Sequence, residues 1–312
     1  MGSLVAPVLV VHGGAGPRRA DDDGRSDAEL RRELAVAVDA GWLQVSAGAE
    51  AACIAAVSVL EDSPLFNAGT GSVLAADGGV WCDATLMCGD GRAGAVAAVQ
   101  GIRHPILAAQ ALAHADPGPL LWAGSTAELA ALHDLELVDP GLMVTERQRR
   151  RLAARRFREG GYDAAAGTVG AVCLDATGRL AAATSTGGFC GKPPARVGDS
   201  AIFGAGTWAH PDTCAVSATG DGEAFLRVLF AHDIHARMLF GGEDLAAAAD
   251  TALAAVRAAG GLGGAICVDA RGAIAMPFSS DVMYRAWRCA DRRTYTAIGG
   301  SEAGVASPAP HG

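Results

Sequence analysis

The chain has 312 residues, half of them hydrophobic, which predicts one large or two small folded domains and excludes a disordered protein. Thirty-four acidic and 25 basic side chains give a net charge of −9, which argues against binding nucleic acid or an anionic membrane over the whole surface. The 42 glycines and the 5% content of aromatic residues favour a turn-rich β architecture over a helical bundle.

The eight cysteines give no C-x-x-C pair, so their spacing does not fit a zinc ribbon or a thioredoxin-like site. Cys173 and Cys267 lie inside apolar runs, which is typical of buried thiols. The first residues lack the pattern of a secretory signal, and no stretch reaches the roughly 20 apolar residues of a membrane span. We therefore expect a cytoplasmic protein with no membrane partner.

In the first half, apolar patterning predicts alternating strands and helices. Pro7–Val11 is a short apolar run that suits a buried strand entering a glycine loop. Asp27–Val45 has the pattern of an amphipathic helix, with Ser26 as its N-cap. The sequence then predicts a helix over Glu50–Leu60, short strands over Ser72–Ala75 and Val80–Thr85, a strand over Ala93–Val99 and a helix over Pro105–His114.

The stretch 146–167 differs from both halves, because it contains seven arginines followed by glycines and alanines. We interpret it as an exposed linker. A nucleic-acid patch is the alternative, but Phe157 is the only aromatic residue among the arginines and the protein is acidic.

In the second half, a hairpin pattern occurs twice. Ala171–Leu174 and Leu180–Thr184 flank a turn that begins with Asp175, and Ala265–Val268 and Ala273–Met276 flank one that begins with Asp269. The pattern also predicts strands over Ala201–Gly204 and Thr213–Ala218 and two long helices, Gly222–Phe240 and Glu243–Ala259.

Thr168 is the most informative position, because it follows Gly167 and opens a buried strand directly after the linker. If the strands 168–174 and 180–186 pair as a hairpin, Thr168 and Thr186 lie at the same end of the sheet. A threonine hydroxyl needs an adjacent base to act as a nucleophile, and no histidine follows near enough in the sequence. The ordinary alternative is that Thr168 is simply a β-branched strand residue.

Cleavage of the Gly167–Thr168 bond would give Thr168 its own base. The new α-amino group has a reference pKa of about 7.7–8.0, close to working pH. Before cleavage the same hydroxyl can attack the Gly167 carbonyl, and glycine tolerates strained backbone angles at that bond.

Six blocks of sequence, in order, resemble the plant-type L-asparaginase/isoaspartyl peptidase family of N-terminal-nucleophile hydrolases. They are His12–Gly16, Phe66–Ser72, Thr168–Val172, Thr184–Gly188, Arg196–Ser200 and Thr219–Glu223. The resemblance spans about Val10 to Gly300. It implies an α+β fold, a four-layer αββα sandwich in a single domain over 1–312, cleaved by the chain itself into an α subunit, 1–167, and a β subunit, 168–312.

The resemblance also implies roles for individual residues. Thr168 would be the nucleophile and Thr186 would tune it. Arg196 would bind the substrate α-carboxylate, for which its planar fork is suited, and Asp199 the α-ammonium. Thr219 and Gly220 would form the oxyanion hole.

Each assignment has a simpler alternative. Arg196 and Asp199 could pair with each other on a surface turn, and Thr219-Gly220 could cap the following helix. We expect Asn67 to be structural, positioning the precursor or a nearby loop. The resemblance further suggests a structural sodium ion, with no cofactor for catalysis, held by backbone carbonyls of Leu60, Glu61, Ser63, Phe66, Ala68 and Thr70.

We therefore expect a hydrolase that cleaves L-asparagine to aspartate and ammonia and removes β-aspartyl residues from dipeptides. Its partners would be these small substrates and a second processed αβ pair in a homodimer, not nucleic acid. A glycosylasparaginase-like amidase is one alternative, although it would need a pocket for an N-linked sugar. An uncleaved, inactive homologue that acts as a binding protein is the other.

Overall fold

The computed structural model describes residues 5–18, 25–156, 167–300 and 304–306. In these ranges the strands form two sheets. The large sheet contains, in spatial order, β13 (Val305–Ala306), β12 (Thr294–Ala297), β11 (Val282–Arg288), β1 (Val8–Gly16), β5 (Val169–Leu174), β6 (Leu180–Thr186), β2 (Cys82–Cys88), β3 (Ala93–Val99) and β4 (Leu121–Ala123). The small sheet contains β10 (Ile274–Ala275), β9 (Gly263–Asp269), β8 (Cys214–Gly220) and β7 (Thr207–Ala209). Neighbouring strands are antiparallel, apart from the parallel pair β3 and β4.

Helices cover the outer face of each sheet. The α-helices of the described residues are α1 (Asp27–Gln44), α2 (Ala49–Asp62), α3 (Pro105–Ala113), α4 (Thr126–His133), α5 (Glu146–Arg156), α6 (Gly222–Val228), α7 (Phe230–Gly241) and α8 (Leu245–Ala258). One apolar core lies between the large sheet and α1–α3, a second between the small sheet and α6–α8, and a third between the sheets. The predicted four-layer αββα sandwich is therefore confirmed.

The sandwich forms because each helix and strand is apolar on the surfaces that pack against the neighbouring layers. In α1, Leu30, Leu34 and Val38 recur at helical spacing and are buried. The predicted N-cap is confirmed, since the Ser26 hydroxyl accepts the N–H of Glu29, whose carboxylate accepts the N–H of Ser26. The strands at the centre of the large sheet are buried on both faces and consist of nearly continuous small and branched apolar residues.

The predicted hairpin at the centre of the large sheet is confirmed. Val169 pairs with Ser185 and Leu174 with Leu180, so β5 and β6 are in register along their whole length. Asp175 Oδ1 accepts the N–H groups of Thr177 and Arg179, which closes the turn. This register brings the residue before β5, Thr168, to the end of the sheet where β6 finishes.

Two predictions in the second half were wrong. The helix expected over Gly222–Phe240 is two helices, because Leu229 adopts a left-handed conformation and the first N–H groups of α7 donate to the carbonyls of residues 204 and 205. The segment Ala201–Gly204 is not a strand. It continues from a 3₁₀ turn, Asp199–Ala201, and only Phe203 forms a bridge, with Thr207.

The interpretation of 146–167 as an exposed linker is wrong for its first part. Glu146–Arg156 forms α5, which buries Gln148 and Leu152 while Arg149 and Arg150 remain exposed. The Gln148 side chain donates to the Gly71 carbonyl at 2.8 Å, and Arg147 donates to that of Pro64 at 2.7 Å, so the helix is attached to the first half. Residues 157–166 of the expected linker lie outside the described residues.

The short strand expected over Ser72–Ala75 is also absent as a strand, and Leu74 forms a single bridge with Val80. In the described part of the chain, none of the helices has both the length and the apolar composition needed to span a bilayer.

Candidate active site

Thr168 and Thr186 lie together at the end of the β5–β6 hairpin. The Thr168 hydroxyl donates to the Thr186 hydroxyl oxygen at 3.1 Å, and both side chains are almost fully buried. The backbone N–H of Gly188 also donates to Thr186 Oγ1, at 3.0 Å. Thr186 is therefore fixed by two contacts in an orientation that can accept the Thr168 proton.

The carbonyl group of Gly167 is held on its other side. The Asn67 side-chain amide donates to this oxygen in a short hydrogen bond and to the Gly188 carbonyl at 2.6 Å. Its Oδ1 accepts the backbone N–H of Val73 at 2.8 Å. A weaker bond from Thr186 Oγ1 reaches the same Gly167 oxygen at 3.4 Å. The carbonyl that precedes Thr168 is thus polarised by an amide and a hydroxyl.

A row of buried hydroxyls and one imidazole lies behind this pair, between the two sheets. His12 on β1 shares a hydrogen bond of 2.9 Å with the Ser217 hydroxyl, which lies 2.7 Å from Thr184 Oγ1. Thr207 donates to Thr184 at 2.6 Å. Burial lowers the pKa of His12 to about 3, so its ring is neutral at physiological pH. A side chain at Gly170 would overlap His12 and Ser217, which explains glycine at this strand position.

An open cavity of about 280 Å³ lies beside Thr168. Its wall combines the two threonines with charged side chains and a glycine-rich loop. The residues that line it are Thr168, Thr186, Gly188, Phe189, Arg196, Gly220, Asp221, Gly222, Glu223, Ala224, Arg227, Ala259, Gly260 and Gly261. The cavity therefore offers a substrate access to the Thr168 hydroxyl.

Arg196 lines the cavity and forms an ion pair with Glu223. Two bonds of 3.1 and 2.7 Å join the guanidinium to the carboxylate, and the Arg196 side chain is only 14% exposed. The guanidinium carbon also lies 4.8 Å from the ring centre of Phe189, a cation–π contact. The simpler alternative of an Arg196–Asp199 pair on a surface turn is wrong, because Arg196 pairs with Glu223.

Asp199 is buried close to Arg196 but does not line the cavity directly. A β-carbon on Gly222 would lie 2.6 Å from Asp199 Oδ1 and 3.0 Å from Arg196 Nη2, so both charged groups pack against Gly222, which itself lines the cavity. Burial raises the pKa of Asp199 to about 7, although the positive charge of Arg196 opposes the shift.

The two residues expected in the oxyanion hole have different positions. Gly220 lines the cavity, with a φ of +149°, a conformation that favours glycine. Thr219 is fully buried, and its hydroxyl accepts the backbone N–H of Ala15 at 3.2 Å. The alternative that Thr219-Gly220 caps the following helix is wrong, because Asp221 holds the N-cap position of α6.

Sequence reasoning missed Asp83, which supports the loop of residues 187–198, called here the Arg196 loop. This buried carboxylate accepts the N–H of Gly198 at 3.0 Å and that of Ala98 at 2.7 Å. Sequence reasoning also did not predict the ion pair between Glu223 and Arg196. An acid inside the buried strand β2 was a usable signal for Asp83, since buried carboxylates are bonded or paired.

The residues suggested for a sodium ion follow one another around the end of α2. Leu60 and Glu61 close that helix, Ser63, Phe66 and Ala68 lie in the next loop, and Thr70 lies in a 3₁₀ turn. A β-carbon on Gly71 would overlap the carbonyl oxygens of both Ser63 and Phe66, so these oxygens converge at a glycine. Among the described residues, no group of three or more His, Cys, Asp or Glu side chains is arranged to hold a metal.

The fold and this site define a class. The four-layer sandwich is that of the N-terminal-nucleophile hydrolases. The sequence model of a family described as asparaginase matches residues 5–298. An isoaspartyl peptidase of Salmonella typhimurium is 41% identical over 93% of this chain and 98% of its own.

Two further relatives have similar identities. An isoaspartyl peptidase/L-asparaginase of Homo sapiens is 41% identical, covering 85% of this chain and 88% of its own. A plant-type L-asparaginase of Pyrobaculum calidifontis is 41% identical, covering 89% and 96%. The chain belongs to the asparaginase family and is a hydrolase, which confirms the resemblance noted from its sequence blocks.

Proposed function

We propose that the protein cleaves itself between Gly167 and Thr168 and then hydrolyses L-asparagine and β-aspartyl dipeptides with Thr168 as the nucleophile. The observation that carries the proposal is the 3.1 Å bond from the Thr168 hydroxyl to Thr186, beside a cavity and next to a polarised Gly167 carbonyl. The names of the relatives support the two substrate classes.

In the precursor, Thr168 Oγ attacks the carbonyl carbon of Gly167. As the C–O bond forms and the C–N bond breaks, the nitrogen of Thr168 takes up the hydroxyl proton, relayed through Thr186. The Asn67 amide stabilises the negative charge that develops on the Gly167 oxygen. Water then hydrolyses the ester, which leaves a carboxylate on Gly167 and a free α-amino group on Thr168. The subunits would be 1–167 and 168–312.

In the mature enzyme, the Thr168 amine accepts the hydroxyl proton while the oxygen attacks the β-carbonyl of the substrate. The proton passes to the leaving group, which departs as ammonia or as an amino acid. Gly220 and Thr219 stabilise the oxyanion, and water hydrolyses the remaining β-aspartyl ester. Arg196 binds the substrate α-carboxylate in the cavity, and Asp199, which packs beside Gly222 at the cavity wall, binds the α-ammonium.

Backbone carbonyls of the α2 loop fit a structural sodium ion, because those of Ser63 and Phe66 converge and hard cations prefer oxygen ligands. We propose that Leu60, Glu61, Ala68 and Thr70 complete the set. Replacing sodium by choline in the buffer would then lower the melting temperature of the protein.

We also propose a location and an assembly. The eight free thiols support a reducing, cytoplasmic location. The assembly would be a homodimer of processed αβ pairs.

The experiment is denaturing electrophoresis, intact mass and N-terminal sequencing of the purified protein, with release assays on L-asparagine and β-Asp-Leu. We expect two bands, a new N-terminus reading Thr-Val-Gly-Ala, and hydrolysis of both substrates. Thr168→Ala should remain one band and be inactive, whereas Thr251→Ala, on the exposed face of α8, should mature and act normally. A full-length band that persists on incubation would instead favour an inactive binding protein.

A further inference from the structure

The wall of the cavity extends well beyond the groups that the proposed chemistry uses. Helix α6 begins at Gly222, next to Gly220, and runs along the cavity to Arg227. Five residues of α-helix cover about 7.5 Å. Arg227 therefore lines the same cavity as Gly222, about 7.5 Å farther along the helix axis.

The orientation of Arg227 follows from Glu223. These residues are four apart on α6, so they lie one above the other on the same face of the helix. Glu223 points to the cavity, where its carboxylate binds Arg196. Arg227 is on the same face and also lines the cavity, one helical turn farther along.

Arg227 is an exposed cation that no acidic side chain neutralises among the residues that the structure describes. Its i−4 neighbour Glu223 is engaged with Arg196. The nearby Asp221 accepts the backbone N–H of Leu262 at 2.8 Å, which holds this carboxylate at the start of the helix. The guanidinium of Arg227 is thus available to an anion that enters the cavity.

Resting on the proposed function, we propose that Arg227 binds the α-carboxylate of the leaving amino acid in β-aspartyl dipeptides. A guanidinium matches a carboxylate with two parallel hydrogen bonds. A β-aspartyl dipeptide presents such a group beyond its scissile bond, whereas the leaving group of L-asparagine is ammonia. The site thereby selects dipeptides with a free C-terminus over L-asparagine.

The test compares kcat/KM for β-Asp-Leu, for the same dipeptide with a C-terminal carboxamide, and for L-asparagine. In the wild-type enzyme, β-Asp-Leu should exceed its carboxamide by about fivefold, the upper range for a solvated ion pair. In Arg227→Met, acid and carboxamide should be hydrolysed equally, and the ratio of β-Asp-Leu to L-asparagine should fall about fivefold. Arg271→Met, in the β9–β10 turn, is the matched control and should keep both ratios.

Two results would overturn the assignment while leaving the proposed function intact. One is a wild-type enzyme that hydrolyses the dipeptide and its carboxamide equally, a measurement that does not depend on how the variant folds. The other is an unchanged dipeptide-to-asparagine ratio in Arg227→Met with normal maturation. If the wild-type enzyme hydrolyses none of the three substrates, the proposed function itself is wrong, and the role proposed for Arg227 is then wrong as well.

Discussion

The backbone of Gly14 lies directly against that of Gly167. A β-carbon on Gly14 would stand 2.6 Å from the Gly167 Cα and 3.3 Å from the Thr168 nitrogen, and Gly14 has a φ of +110°. Gly14 therefore leaves no room for a side chain, whereas the nearest atom to a β-carbon on Gly167 would be the Gly13 carbonyl oxygen, at 3.5 Å. The irregular end of β1, which contains Gly14, and the bond proposed for cleavage are therefore packed backbone to backbone.

Gly14→Ala should slow maturation, because the new methyl group displaces the Gly167–Thr168 peptide from the Thr168 hydroxyl. We expect a decrease of at least about tenfold, equivalent to about 1.4 kcal/mol in the barrier. The measurement is the rate at which the full-length band converts into two subunits. Gly78→Ala is a matched control, since Gly78 has a φ of +86° and open space around a β-carbon. Conversion of Gly14→Ala at the wild-type rate would contradict the role given to this contact.

Asn67→Asp should impair the same step more strongly. The substitution keeps the size and the Oδ1 acceptor for Val73 but removes the donor to the Gly167 carbonyl. A lost oxyanion donor typically costs 10²- to 10³-fold in rate, and we expect about that decrease in the cleavage rate. The time course of subunit formation measures it. Gln44→Glu, an amide-to-acid change at the exposed end of α1, should have no effect, and equal rates in both variants would exclude the role of Asn67.

The elements that the sequence predicts well are those fixed by local patterns. The β5–β6 hairpin follows from its Asp175–Gly178 turn and the apolar runs on each side, and this local pairing brings Thr168 and Thr186 together. Pairings between distant parts of the chain were not accessible in this way. Strand β1 lies between β5 and β11, although about 270 residues separate β1 and β11. The Arg196–Glu223 ion pair could not be predicted for the same reason, because it depends on how α6 packs against the Arg196 loop.

The break at Leu229 shows why periodicity alone failed between α6 and α7. The apolar pattern continues through this residue, and leucine is a good helix former. The tertiary bonds from the N–H groups of Ala231 and His232 to the carbonyls of residues 205 and 204 define a new helix start. These acceptors belong to a loop more than 20 residues earlier, and a local pattern contains no information about them.

The pKa of Asp199 predicts how substrate capture depends on pH. Burial raises this pKa to about 7, and the carboxyl group must be ionised to bind an α-ammonium. Below pH 7 it is protonated and neutral, so kcat/KM for L-asparagine should fall as the pH decreases from 8 to 5.5. The Thr168 amine, with a reference pKa of about 7.7–8.0, adds a decrease in the same direction.

Succinamic acid separates these two contributions, because it has the same side-chain amide and carboxylate but no α-amino group. Its kcat/KM should retain the decrease due to the Thr168 amine and lack the one due to Asp199. The ratio of asparagine to succinamate kcat/KM should therefore decrease by about tenfold for each pH unit well below 7. A ratio that is constant between pH 8 and 5.5 would remove Asp199 from ammonium binding.

The buried His12 predicts a loss of stability in acid. Its pKa is about 3 in the folded protein and about 6.5 when unfolded, so the unfolded chain binds the proton more readily. The stabilisation is complete above pH 6.5 and is lost as the pH falls toward 3, with a slope of about 1.4 kcal/mol per pH unit. In the uncleaved Thr168→Ala background, His12→Gln should reduce the slope of unfolding free energy between pH 4 and 6 by about one proton. Urea titrations at each pH measure this slope. His133→Gln, on α4, serves as the control, and an unchanged slope in His12→Gln would show that His12 is protonated in the folded protein.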